Sequence, residues 1–287
     1  MTEMTINPQS SISASTGKLQ AFSLKKLTVR MLIYAVSIFI IFGPLSSLLL
    51  WSFAEKWYWP HPWPTQWGFQ YWSKILEGSM IHALNLSFVV AAAVTVLGIV
   101  LTVPLAYMLA RYKVPAKSIL LLIFLLPQAF PQLPVFTNTM TLMYRYDLVG
   151  TLQGVILIHL VGALVFSVWT LTSVFQSIAP AYEEAAVMLG ASRVKTFMTI
   201  ALPLAFPGIV AAALLVFLYS LDEFTGSLLI GSPFITTMPI YMYNSAMGYE
   251  MQVASVTALL LMLPGIILLI LLERFMKSEY LAAFGRV

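Results

Sequence analysis

The stretch "EEAAVMLGASRVKTFMTIALPL", residues 183–204, is an amphipathic segment between two strongly apolar ones. It carries two acids and two bases in a chain that is 60% hydrophobic and only 9% charged. Pro180 suits the start of a helix, and Glu183 and Glu184 would then lie in its first turn, where the helix dipole favours negative charge. The segment therefore predicts a polar-edged helix beside membrane-type sequence.

The same stretch predicts a turn and a second helix. Gly190 permits a sharp change of backbone direction, and a short helix is then predicted to end at Pro203. A helix–turn–helix of this length is too short to fold alone, so we expect it to dock into a partner. An amphipathic helix resting on the inner leaflet is the alternative interpretation.

Composition places this segment in a polytopic, all-α membrane protein. The 287 residues have a mean hydropathy of +0.90, which overrides the expectation of one or two soluble domains. Runs of about 20 apolar residues are long enough to cross a bilayer as helices. The absence of Cys excludes disulfides and Cys-ligated metals. The six predicted spans are residues 31–53, 82–110, 118–140, 152–175, 204–224 and 251–272.

The division of the chain follows from these spans. Residues 1–29 are rich in Ser and Thr and lack the apolar core of a cleavable signal peptide, so they are predicted to form a disordered cytoplasmic tail. Residues 30–287 form the predicted membrane domain, in which residues 176–203 are the longest cytoplasmic loop.

Positive charge predicts the orientation. With the N-terminus inside, the inner segments hold 12 of the 15 Lys and Arg residues, and the outer loops hold only Lys56, Lys74 and Arg145. The positive-inside rule then places both termini in the cytoplasm. This asymmetry accounts for the formal charge of +4, so a nucleic-acid partner need not be invoked.

Aromatic residues mark the first outer loop. Six of the seven Trp residues fall within residues 51–72. An interfacial aromatic belt at the headgroup level explains this clustering. A surface that docks an extracytoplasmic partner is the alternative.

The spacing within residues 183–204 resembles the EAA loop of binding-protein-dependent ABC importer permeases. Glu184, Ala185 and Ala186 are followed after three residues by Gly190, and after nine more by "IALP", which includes Leu202 and Pro203. The stretch "LNLSFVVAAAVTVLGIVLTVPLAYMLARYK" resembles the second core span of the same family, with Asn85 near its start. The resemblance covers residues 60–287.

The resemblance implies six transmembrane helices in the type I ABC importer permease fold. It implies that the EAA loop is a coupling helix seated in a cytoplasmic ATPase dimer, with Glu184 meeting a basic residue of the ATPase and Gly190 making the turn. It further implies an extracytoplasmic solute-binding protein, a bacterial inner membrane and a second permease subunit, for which a different chain is the first expectation and a second copy of this chain is the alternative. The ATPase-coupling residues so implied are Glu184, Ala185, Ala186, Gly190, Leu202 and Pro203.

The chain itself is predicted not to be an enzyme. It contains no G-x-x-x-x-G-K-[ST] sequence, so ATP and Mg²⁺ are expected to bind to the separate ATPase. None of its three histidines lies in a metal-ligand spacing, and no nucleophile–base arrangement is evident. A secondary transporter would need internal repeats and more buried acids, neither of which is evident.

Four residues are candidates for the solute pathway. His159 lies in the middle of the predicted fourth span, where an ionisable group is a functional candidate; a helix–helix contact is the alternative. Asp222 and Glu223 fall at the outer end of the fifth span, where a solvated pair is the alternative. Asn85, in the span that resembles the family's second core span, is the fourth candidate.

The solute is predicted from features that disagree. "SLDEF" and the following "TTMPIYMYN" resemble the polyamine-type branch of the family, and acids there would suit a cationic solute. The C-terminal "LLERFMKSEYLAAFGRV" resembles the sugar branch instead. A polyamine-like cation is the first expectation, and a sugar or oligosaccharide is the alternative.

Prolines predict an interruption in the third span. Pro127, Pro131 and Pro134 lie in "LLPQAFPQLPVF", where each removes a backbone donor. We expect a kinked or discontinuous helix there, serving either as a cavity wall or hinge, or only as an accommodation of packing.

Overall fold

The computed structural model describes residues 9–58, 60–76 and 78–284, and it is helical nearly throughout. Eleven helices of α type and a two-stranded β-hairpin are present in this part of the chain. They are α1 (Gln9–Phe53), β1 (Ala54–Lys56), β2 (Gln66–Trp67), α2 (Gln70–Ser73), α3 (Gly78–Arg111), α4 (Lys117–Ala129), α5 (Gln132–Tyr144), α6 (Leu152–Ser177), α7 (Ala181–Met188), α8 (Arg193–Thr196), α9 (Leu202–Asp222), α10 (Met238–Met247) and α11 (Met251–Phe284).

Helix α1 supplies the first candidate span. Its apolar part, Val29–Phe53, has a mean hydropathy of 2.2 and is long enough to cross a bilayer. The helix begins at Gln9, so the prediction of a disordered tail was wrong for residues 9–28. Residues 1–8 of that predicted tail lie outside the described residues. Residues up to Trp51 form one compact unit, and Ser52 begins the second.

The core of the second unit is built by α3, α6 and α9, which pack against one another. Small and β-branched side chains such as Val90, Val94, Val155 and Val216 fill one buried cluster of this core. Hydroxyls within the spans bond to carbonyls of their own helix, as Thr102 does to Gly98 at 2.7 Å. Such bonds satisfy the hydroxyls concerned inside an apolar span.

The third predicted span is a broken helix, as the prolines indicated. Helices α4 and α5 meet at an angle of 100° around Phe130 and Pro131. Phe130 has extended backbone geometry, which is the conformation that a following proline favours. Pro134 lies in the first turn of α5, where a missing backbone donor costs nothing. Pro131 therefore marks the break.

The fifth span begins earlier than predicted. Arg193–Asp222 is a single candidate span of 30 residues, in which a π-helical turn, Phe197–Ala201, joins α8 to α9. The expected short helix ending at Pro203 was therefore wrong. A proline interrupts the regular helical hydrogen bonds, and the wider π turn just before it absorbs that interruption without ending the helix.

The Trp-rich outer segment folds into a small structure of its own. Strands β1 and β2 pair antiparallel, and α2 packs near α11 through a buried cluster that includes Met80 and Val256. The Trp72 indole donates to the Ser52 carbonyl at 2.9 Å. Trp63 and Trp67 remain exposed, as both an interfacial belt and a docking surface require.

Candidate functional site

The EAA loop forms a capped helix followed by a sharp turn. Helix α7 begins after Pro180 and ends at Met188, with Glu183 and Glu184 in its first turn. Gly190 has a φ of +85°, a left-handed conformation that favours glycine. The Gly190 amide donates to the Val187 carbonyl at 2.9 Å, and the next amide donates to the Ala186 carbonyl at 3.0 Å. This pair of bonds is a Schellman motif, which closes the helix.

A second cap starts the next helix. The Ser192 hydroxyl accepts a bond from the Lys195 amide at 3.3 Å, so α8 begins with a side-chain cap. A Cβ at Gly190 would meet no atom within 4 Å, so the turn projects freely. The loop is therefore a defined helix–turn–helix with an open tip.

The two adjacent acids of α7 have opposite environments. Glu184 is exposed, whereas Glu183 is buried against the inner end of α3. The Glu183 carboxylate accepts from the Tyr107 hydroxyl at 2.6 Å and from the Arg111 Nε at 2.7 Å. Arg111 also donates to the Ile178 carbonyl at 3.0 Å.

Sequence reasoning missed this buried group, because the motif draws attention to Glu184. A signal for it was present. Tyr107 and Arg111 lie four residues apart in "LAYMLAR", on one face of a helix, at the cytoplasmic end of a predicted span. Both side chains are hydrogen-bond donors, so together they favour an acid on the facing loop as their acceptor.

The tip of the EAA loop exposes apolar side chains. Met188 is 86% exposed and Leu189 is 89% exposed, and Tyr182 and Val187 are also exposed. A cleft of about 430 Å³ opens beside them, with both acids of α7, Arg111 and Arg193 in its wall. Exposed apolar residues clustered beside charges are typical of a protein interface.

The remaining motif residues divide between surface and core. Ala185 is exposed and Ala186 is half-buried. Leu202 lies inside α9, where it packs against the buried inner cluster that contains Phe175 and Ala201. Pro203 is exposed on α9. Glu184, Ala185 and Gly190 therefore lie in the part of the motif that a partner can reach directly.

His159 is buried in the core and is not exposed to a pathway. Its Nδ1 lies 2.9 Å from the Ser220 hydroxyl and its Nε2 lies 2.7 Å from the Ser227 hydroxyl. The imidazole thus joins α6 to α9 and to the π turn Ser227–Gly231. These contacts favour the alternative of an interhelical contact, and a role of His159 in the solute pathway stays a prediction.

The outer acids also differ from each other. Glu223 is buried just after the end of α9, and its carboxylate accepts from the Gly226 amide at 2.6 Å. Asp222 is exposed, and it lines a cleft of about 310 Å³ with Gln132 and Tyr219. Glu223 also lines this cleft while it caps the following turn, and its contact with the solute stays a prediction. Asp222 is the more accessible of the two acids.

Asn85 remains a separate candidate. It is exposed on α3 but is not part of the wall of the Asp222 cleft. Two residues further along α3, the Ser87 hydroxyl accepts from the Met238 amide at 2.7 Å and so holds α10 against α3. The four predicted pathway residues are therefore not gathered into one site within this chain.

A polytopic helical core, a broken third span and a projecting inner loop define a membrane transport subunit. Residues 102–278 match the family of the binding-protein-dependent transport system inner membrane component. The chain belongs to this family.

Relatives of known class agree with this assignment. A putative ABC transporter permease protein (ORF1) of Streptomyces antibioticus is 31% identical over 71% of this chain and 91% of that protein. The trehalose transport system permease protein SugB of Mycobacterium tuberculosis is 29% identical over 70% of this chain and 73% of that protein. The relatives named for a solute are mostly carbohydrate systems, beside a molybdate/tungstate permease.

A solved structure shares the fold. A chain of the crystal structure of a bacterial ABC transporter that imports the acidic polysaccharide alginate superimposes with a TM-score of 0.64. The match has 15% sequence identity and covers 95% of this chain and 99% of that chain. The predicted fold, an all-α membrane protein of the ABC importer permease type, is thereby confirmed.

Proposed function

We propose that this ABC importer permease subunit forms half of a solute pathway and is driven through the EAA loop by a cytoplasmic ATPase dimer. The shape of α7 carries the proposal: its exposed end presents Glu184 beside Val187, Met188 and Leu189. An acid next to apolar anchors suits a cleft that offers a basic residue and an apolar floor. The ATPase would bind ATP and Mg²⁺, and this chain would bind neither.

Several partners follow from this role. A second permease chain would complete the pathway, because one subunit encloses only part of it. The extracytoplasmic binding protein that the family name specifies would deliver the solute to the outer face. The excess of Lys and Arg on the EAA-loop side supports placing that loop and both termini in the cytoplasm of a bacterial cell.

The solute favoured by the relatives is a carbohydrate. The first expectation, a polyamine-like cation, finds no support in the relatives that are named for a solute, and the alternative is better supported. The environment of the two outer acids points the same way. Glu223 lines the cleft too, but it is buried and one of its oxygens accepts from the Gly226 amide, so Asp222 offers the more accessible carboxylate there. Together with the Tyr219 ring and the Gln132 amide, it suits a polyhydroxylated solute.

A thermal-shift screen of the cognate binding protein tests the solute class. Neutral disaccharides and oligosaccharides are expected to raise its melting temperature, because ligands stabilise the state that binds them. Polyamines and phosphonates serve as the comparison sets. If a polyamine stabilises the binding protein and no carbohydrate does, the carbohydrate proposal is wrong and the solute is a cation.

Substitution of Asp222 separates charge from hydrogen bonding. With a neutral sugar, Asp222→Asn keeps polar contacts with hydroxyls, so we expect uptake at limiting solute to change less than about threefold. Asp222→Leu removes those contacts, and a lost hydrogen bond of about 1.5 kcal/mol predicts a roughly tenfold decrease. Uptake of the binding protein's ligand into proteoliposomes measures both.

Glu223→Leu is the comparison variant, because it removes the buried acceptor that caps the turn. It is expected to lower the yield of folded protein more than the uptake per folded molecule. An equal, severe loss of uptake in Asp222→Asn and Asp222→Leu would show that charge is essential and would contradict a neutral solute.

A further inference from the structure

Helix α7 has few attachments apart from its two ends. A short linker, residues 178–180, joins it to α6, and the Gly190 turn joins it to α8. Along its length it touches α8 and the π turn Phe197–Ala201. A Cβ placed at Gly190 would have no atom of another element within 4 Å, so no other element packs against the turn at this point. A helix held only in this way would pivot when its tip is pushed.

Three polar side chains, of which Glu183 is buried and Tyr107 and Arg111 are half-buried, remove that freedom. The two carboxylate oxygens of Glu183 are bound separately, one by the Tyr107 hydroxyl and the other by the Arg111 Nε. Arg111 reaches in addition the Ile178 carbonyl, in the linker itself. Charge-assisted bonds of 2.6 and 2.7 Å are among the stronger and more directional contacts in proteins.

The partners of Glu183 are themselves immobilised. The Tyr107 ring packs edge-on against Phe175, with centroids 5.4 Å apart, and against Phe197 at 4.6 Å. These rings belong to α6 and to the π turn, so Tyr107 is wedged between two elements besides its own. The side chains of Arg111 and Glu183 are each only 12% exposed. The ion pair is therefore mostly shielded from solvent, and its partners are held by neighbouring elements.

We propose that Glu183, Arg111 and Tyr107 form a strut that makes α7 and the inner end of α3 move as one rigid body. Displacement of α7 is then passed to the span α3 and is not absorbed by the Gly190 turn. The inference rests on the proposed function, since it assumes that an ATPase moves α7. The three are positioning residues, because they act through α7 and do not touch the ATPase or the solute.

The different environments of Glu183 and Glu184 support this inference. Glu184 is exposed on the side open to a partner, and Glu183 is turned inward to the span. A buried ion pair contributes little net stability, because desolvation offsets its attraction. Its main effect is to fix the orientation of α7 relative to α3. A helix that passes motion between two conformations of the transporter needs such a fixed orientation.

The absence of Cys from the natural chain allows a direct test. Met108→Cys on α3 and Ala181→Cys on α7 place nitroxide labels at two exposed sites, and Ala181 lies at the start of α7, away from the apolar tip proposed to meet the ATPase. Double electron–electron resonance is measured on the assembled transporter in nanodiscs, without nucleotide and after trapping with ATP and vanadate. The expected result is one narrow distance distribution with the same mean in both states.

Glu183→Gln is the decisive variant, and Glu184→Gln is its matched control. Glu183→Gln is expected to broaden the 108–181 distance distribution roughly twofold and to lower binding-protein-stimulated ATP hydrolysis by about tenfold, while the ATPase stays bound. Glu184→Gln is expected to weaken binding of the ATPase and to leave the distribution narrow. Tyr107→Phe removes one hydroxyl, keeps the ring packing and should broaden the distribution to a smaller extent.

The inference is overturned if Glu183→Gln leaves the distribution narrow, or if stimulation stays at the wild-type level despite a broad distribution. Should Glu183→Gln fail to assemble, an unchanged distribution in Tyr107→Phe overturns it equally. The proposed function fails by a different result, namely that the unmodified chain binds no ATPase. In that case the distances in the isolated permease still decide whether the strut exists.

Discussion

Glu184→Lys is expected to detach the ATPase while leaving the permease folded and inserted in the membrane. The carboxylate is exposed beside the apolar tip of α7, so reversing its charge disturbs no internal contact of α7 that the structure shows. Against a basic partner residue the new ammonium would instead be repelled. Like charges at an interface cost several kcal/mol, and about 3 kcal/mol corresponds to a roughly 100-fold loss of affinity.

The loss of affinity in Glu184→Lys is measured as the amount of ATPase that co-purifies with the tagged permease over a series of salt concentrations. Glu250→Lys is the matched control, since Glu250 is also exposed but lies just before α11, remote in sequence from the EAA loop. The control should retain the ATPase fully. Normal co-purification and normal uptake in Glu184→Lys would contradict the assignment of α7 as the coupling helix.

Gly154→Ala is expected to destabilise the permease more than a single methyl group ordinarily does. A Cβ at Gly154 would lie 2.1 Å from the Leu148 carbonyl oxygen and 3.0 Å from a methyl of Ile230. The first neighbour is backbone and cannot rotate away, so the start of α6 must shift. Overpacking of this kind costs about 1–3 kcal/mol, which predicts a drop of roughly 4–10 °C in the melting temperature.

Gly98→Ala is the matched control for that substitution. Its Cβ would meet Val216 and Leu160 at 3.7 and 3.8 Å, which are ordinary van der Waals distances. Alanine is also the better helix former, so the melting temperature should stay within about 2 °C or rise. Scanning fluorimetry in detergent measures both variants. Equal melting temperatures for the two would show that the close approach at Gly154 is relaxed at no cost.

Most of the membrane architecture could be predicted because its causes are local in the sequence. The length and apolarity of each hydrophobic segment predict the spans, because the free energy of transfer to lipid is roughly a sum over individual residues. The Pro131 break and the Gly190 turn were likewise predictable, because proline and glycine restrict or free the backbone at their own positions. The start of the fifth span was not, because a π turn around residues 197–201 carried the helix past Pro203.

Which acid of each adjacent pair is buried could not be predicted from the sequence. Glu183 and Glu184 are neighbours of the same chemical type, and so are Asp222 and Glu223. One member of each pair is buried and bonded, and the other is exposed. Adjacent residues of a helix point in different directions, so only the position of the neighbouring elements decides which member is buried.

Sequence patterns alone predicted a multi-span helical membrane protein, the polar helix α7 and the glycine turn that follows it. Tertiary structure alone decided that Glu183 pairs with Arg111, 72 residues away, and that His159 lies between Ser220 and Ser227, 61 and 68 residues away. Hydropathy and turn propensity act within a few residues, whereas these contacts exist only once α3, α6 and α9 have packed together.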